Sequence, residues 1–181
     1  MKLTWLLFVI LAFQQEAQKT YMPLIVGNSW LYRTADGRTY EDYVSKYTYE
    51  HNKIEYLQVF RKHSDETGEI LYCRSDQSGT AYYLDNKTFR ESIEVPAIPK
   101  LGLAWRSGED NWRYKIVEIN VDVKTPEHTF KDCVAIRAES PSQSEFVFVN
   151  YYCRGIGQVA SKVDGKFAAY LVKWKINVKK A

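Results

Sequence analysis

Two stretches of the chain alternate apolar and polar residues with a period of two. Val117, Ile119, Val121 and Val123 are interleaved with Glu118, Asn120, Asp122 and Lys124. Val172, Trp174, Ile176 and Val178 are interleaved with Lys173, Lys175, Asn177 and Lys179. Strand side chains point alternately to opposite faces, so each stretch predicts a strand with one covered and one wet face. Such alternation belongs to antiparallel sheets rather than to parallel sheets buried on both sides. The C-terminal lysines accordingly read as the solvent face of a last strand, not as a patch for nucleic acid or lipid.

Turn chemistry divides the remainder. His51-Asn52-Lys53 separates a strand over 40–50 from one over 54–63, and Asp65-Glu66-Thr67-Gly68 separates the latter from 69–75. Ser78-Gly79 precedes 80–85, and Asp85-Asn86-Lys87 leads to 88–95. Beyond Pro126 come 129–139, a turn around Ser140-Pro141-Ser142, and 145–153. Gly155 and Gly157 break the chain before 158–162, and Asp164-Gly165 is a tight hairpin signal into 166–178. The total is about ten or eleven strands joined by short turns, which predicts an all-β antiparallel meander. One short helix, near the start of the domain or within 96–104, is the exception the pattern leaves room for. A weak internal echo accompanies the strands: Gly-x-x-Trp after a proline occurs at Gly27–Trp30 and again at Gly102–Trp105. Two halves of one sheet that start alike would give it.

The N-terminus has a different character. Lys2 precedes the apolar run Leu3 to Phe13, followed by Gln14, Gln15, Glu16 and the small Ala17. That order predicts a cleaved export signal over 1–17, leaving a single β domain over 18–181. The apolar run is too short to span a bilayer, and no other stretch is long enough to do so as a helix. Export places the chain in the periplasm, at the cell surface or outside the cell. With 181 residues, 45% hydrophobic, one domain with a real core is expected. A net charge of +3 over 25 basic and 22 acidic residues gives no strong field for nucleic acid.

Catalytic chemistry leaves little trace. His51, His63 and His128 fall at a turn, a strand end and a loop, and no nucleophile elbow, phosphate-binding loop or zinc motif is present. No metal or cofactor is expected, and the chain reads as a non-enzyme, although distant residues could still assemble a hydrolase site. Cys73, Cys133 and Cys153 follow the export signal into a compartment where a disulfide persists. If 129–139 and 145–153 form a hairpin turning near 142–144, Cys133 faces Cys153, close enough to bond. A one-residue slip would destroy that pairing, leaving three reduced thiols.

The aromatic content is high, with fourteen tyrosines, eight phenylalanines and five tryptophans. Tyr43, Tyr47 and Tyr49 are expected on one strand face, where they would line a groove or cover a half-exposed sheet. Trp30, Trp105 and Trp174 are candidates for core or concavity rather than catalysis. Trp30, Tyr43, Tyr47, Trp105 and Trp174 are the candidate ligand contacts.

Three short motifs in order, Pro23-Leu24-x-x-Gly27-Asn28-Ser29-Trp30, Thr129-Phe130-Lys131-Asp132-Cys133 and Tyr151-Tyr152-x-x-Gly155-Ile156-Gly157, resemble a group of small secreted β-proteins of Bacteroidota. The resemblance spans roughly 21–175 and is structural rather than catalytic. It implies a strongly curved antiparallel sheet or incomplete barrel, similar in outline to the periplasmic lipoprotein carriers LolA and LolB. That group usually has alanine where this chain has Cys153, so the disulfide is not something the resemblance implies. The resulting expectation is an exported, non-enzymatic binding or structural protein of the envelope, its partner an envelope protein or a hydrophobic small molecule. The alternatives are a carrier holding a hydrophobic ligand in the concave face, and a hydrolase.

Overall fold

The computed structural model describes residues 20–107, 112–140 and 147–177, so the expected export signal over 1–17 lies outside the described residues. Twelve strands form one antiparallel sheet. The first half contains β1 (Ser29–Thr34), β2 (Thr39–His51), β3 (Ile54–His63), β4 (Gly68–Ser75), β5 (Ala81–Leu84) and β6 (Glu91–Val95). The second contains β7 (Ala104–Ser107), β8 (Trp112–Lys124), β9 (Thr129–Glu139), β10 (Val147–Cys153), β11 (Gly157–Val163) and β12 (Lys166–Lys175). The short β7 is what raises the number above the ten or eleven that turn signals suggest. The stretch 96–104, where a short helix was allowed for, is bends and turn running into β7.

Strands adjacent in sequence pair throughout, with a single exception, and β1 pairs with β12 to close the wall. The exception is the seam between β6 and β7, which carries no ladder, so the sheet is a nearly closed barrel. Trp105 on β7 reaches across this seam, its Nε1–H donating to the Ile93 carbonyl of β6 at 2.9 Å. The other tryptophan of the sequence echo, Trp30 on β1, donates to the Ile156 carbonyl of the β10–β11 turn at 2.5 Å. Each half thus opens on a tryptophan that hydrogen-bonds into the other half.

Register explains which apolar residues go inside. The ladder between β1 and β12 slips between Leu31 and Tyr32, so Tyr32 faces Leu171 while Leu31 faces Lys173. Leu171 is completely buried, whereas Trp174, opposite Trp30, is 36% exposed. This corrects the continuous apolar face expected over Val172, Trp174, Ile176 and Val178; Val178 lies outside the described residues. In β8 the alternation from Val117 to Val123 is broken by three irregularities and by a positive φ at Asn120. Val123 is buried, whereas Ile119 is exposed. Bulges of this kind re-aim side chains while the strand continues. The β8–β9 turn reaches β12 and β1: a ring nitrogen of His128 is 2.9 Å from the Val172 carbonyl oxygen, and Glu127 pairs with Arg33 at 2.5 Å.

The pairing of β9 with β10 sets Cys133 opposite Cys153, and the two sulfurs are bonded. Cys73 is a buried free thiol. One end of the barrel is closed by the segment leading into β1. The Thr20 hydroxyl donates to the Gly79 carbonyl in the β4–β5 turn, and the Gly155 N–H in the β10–β11 turn donates to the Thr20 carbonyl. Tyr21 is 2% exposed beneath the Arg154 guanidinium. Asn28, fully buried, donates to the Pro23 carbonyl and accepts from the Asn177 N–H. These bonds pin the segment as a floor.

Candidate functional site

Above that floor the barrel holds a half-open cavity of about 420 Å³. Alternation along each strand decides what lines it. On one side Asp42 of β2, Val59 and Arg61 of β3, Glu69, Leu71 and Cys73 of β4, Tyr83 of β5 and Glu94 of β6 face inward. Trp30 and Tyr32 of β1, Tyr114 of β8, Asn150 and Tyr152 of β10 and Gln158 of β11 complete the wall, with Met22 and Leu24 rising from the floor. Gly157 contributes by having no side chain. At its φ of +112° a Cβ would lie 3.1 Å from Trp30 Nε1, so any other residue would strain the backbone and crowd the indole.

The polar groups are organised in two sets. Arg61 grips Asp42 with two bonds, Nε to Oδ1 at 2.7 Å and Nη2 to Oδ2 at 2.8 Å, while its Nη1 meets Glu69 at 3.3 Å. Its guanidinium also lies 4.7 Å from the centre of the Tyr40 ring, which stacks on Tyr32. In the second set Glu94 accepts a short hydrogen bond from the Tyr152 hydroxyl, joining β6 to β10 through the interior. Burial pushes the Glu94 carboxyl above its ordinary value, opposed by the Tyr152 hydrogen bond and the Arg61 charge. Burial also raises the phenols, Tyr40 and Tyr83 to about 12 each. The Cys73 thiol is pushed well up, chiefly by burial and then by the nearby Glu94, so it stays protonated and unreactive. Among the described residues no group of histidines, cysteines and carboxylates is arranged to hold a metal. No helix there is long and apolar enough to cross a membrane.

The five aromatic candidates are scattered. Trp30 lines the cavity. Trp105 stacks on Tyr114 with ring centres 5.6 Å apart, behind the lining at the seam. Trp174 lies outside the cavity against His128 and Phe130. Tyr43 is 44% exposed on the side of β2 opposite Asp42, and Tyr47 is 59% exposed. The reason is a bulge between Val44 and Thr48, which disrupts the face that Tyr43, Tyr47 and Tyr49 were expected to share. Tyr49 instead packs against Tyr72, the two rings tilted with centres 4.5 Å apart. The three histidines sit at separate places, and none lines the cavity.

The charged lining residues were missed by reading the sequence for aromatics. Their signal was a charge in an apolar phase of a strand: Arg61 continues the row Leu57, Val59, and Glu69 continues Cys73, Leu71 backwards. Such a charge faces inward with the rest of its row.

No protein-family model matches the chain, and a search of curated proteins finds no match. Among solved structures the chain is similar to a "putative lipoprotein" from Parabacteroides distasonis, at 13% identity and a TM-score of 0.48. The alignment covers 87% of this chain and 99% of that one. A likeness of that strength carries nothing further about this chain.

Proposed function

We propose that the protein is an exported, non-enzymatic binding protein that holds a small molecule inside its barrel. The observation that carries the reading is the cavity itself. Its volume is in the range of small-molecule sites, and it combines aromatic and aliphatic walls with a few convergent polar groups. Export rests on the sequence of residues 1–17. The non-enzymatic part rests on the sequence, which carries no nucleophile elbow, phosphate-binding loop or zinc motif. The polar groups alter the expectation of a carrier for wholly hydrophobic ligands, because Asp42, Arg61 and Glu94 would be left facing hydrocarbon. An amphiphile, with an apolar body and a hydrogen-bonding head, suits this wall better.

Titration with the neutral fluorophore N-phenyl-1-naphthylamine tests the reading. Saturable one-to-one binding is expected, accompanied by quenching of Trp30 emission. Leu71→Trp, which fills the cavity, should abolish it while the far-ultraviolet spectrum stays that of a β-protein. Binding that does not saturate, or that ignores Leu71→Trp, would refute the cavity as the site.

A further inference from the structure

We infer that the head group the cavity selects is a cation, an organic amine carried on an apolar body; this rests on the ligand-binding reading above. The first reason is the balance of charge. Three carboxylates, Asp42, Glu69 and Glu94, line the cavity against one guanidinium, Arg61. The second is that Arg61 is already committed. Nε and Nη2 donate to Asp42 and Nη1 to Glu69, so three of its five N–H donors are engaged and an anionic amphiphile would compete with two carboxylates for it. An anion entering would meet the carboxyl groups of Asp42, Glu69 and Glu94.

Glu94 is the third reason. Its partner is a phenol, Tyr152, and no ion pair to it forms among the described residues. Tyr152 of β10 and Arg61 of β3 act on it, and Glu94 in turn acts on Tyr83 of β5 and Cys73 of β4. A buried carboxyl in that position gains more from an ammonium than from any neutral donor, because the ammonium both bonds it and offsets the cost of its charge. Trp30, Tyr32, Tyr83, Tyr114 and Tyr152 line the same cavity, and an aromatic lining suits a cation. The aliphatic residues Met22, Leu24, Val59 and Leu71 receive the apolar body.

Three probes with one body and different heads test this by calorimetry near neutral pH: 4-phenylbutylamine, 4-phenylbutanol and 4-phenylbutyrate. The amine is expected to bind about tenfold tighter than the alcohol, with the butyrate weakest. Glu94→Gln keeps a hydrogen-bond acceptor and removes the charge, so it should cost the amine about tenfold and bring the amine-to-alcohol ratio toward one. The far-ultraviolet spectrum reports that the variant is folded. An amine-to-alcohol ratio near one, a ratio that Glu94→Gln leaves unchanged, or a butyrate as tight as the amine overturns the cation while the binding reading stands. Failure of all three probes to bind overturns both.

Discussion

A carboxyl that faces a phenol inside a barrel ties stability to pH in a particular direction. Burial raises the Glu94 pKa in the fold above its ordinary 4.5, so the folded chain favours the neutral acid more than the unfolded chain does. Its contribution is therefore whole below the ordinary value and is lost as pH rises through the raised one. Asp36 and Asp65 act in the opposite sense. The hydroxyls of Thr34 and Thr67 lower them, so their contributions are present above the ordinary 3.8 and vanish as pH falls through the lowered values. Thermal unfolding of the wild type should show a decline as pH rises through the raised Glu94 value that Glu94→Gln removes, with the acid-side decline retained. Parallel curves for the two proteins across that range would show that Glu94 is not the group responsible. Arg61 and Asp42 make the complementary point: their bidentate pairing leaves neither charge unmatched in the interior.

Among the elements, the β9–β10 hairpin is the one whose register the sequence allowed to be read in advance. Its turn position and its two cysteines agree on a single pairing, and the ladder sets Cys133 against Cys153. Closing a loop of about 20 residues stabilises the fold by roughly 3 kcal/mol on the chain-entropy estimate. Replacing both cysteines by serine should lower the unfolding free energy in denaturant by an amount of that order. The non-reduced wild type should show one thiol, Cys73, reactive only after unfolding; three titratable thiols would refute the bond. Other elements were legible only in outline. Gly, Asn and Asp clusters located nearly every turn, because the φ > 0 positions they supply are fixed locally. What faces inward was not legible where bulges intervene. The slips beside Tyr32, Val44 and Ile116 re-phase the alternation, and they depend on how partner strands meet rather than on either strand alone. That is why Tyr47 is exposed rather than in the concavity, and why the charged half of the cavity is not evident from the aromatic pattern.

At the scale of the whole molecule, an antiparallel meander could be read from alternation and short turns, but the closure of the wall could not. Closure depends on β1 meeting β12, and Trp30 pairs with Trp174 about 140 residues away. The remaining ladders all join strands consecutive in sequence, and the missing one, β6 to β7, would have been as local as any. This arrangement has a kinetic consequence. Local hairpins close quickly, whereas the ladder between the two ends must wait on the loss of entropy in the longest loop the chain can form. A permuted chain that begins within 96–103, runs through β7–β12 and passes by a linker into β1–β6 converts that distant ladder into a hairpin and places the seam between its two ends. The permuted chain should refold faster in stopped-flow measurements, and equal rates would mean that another step limits folding. The strand order around the wall would be unchanged, with every ladder now local.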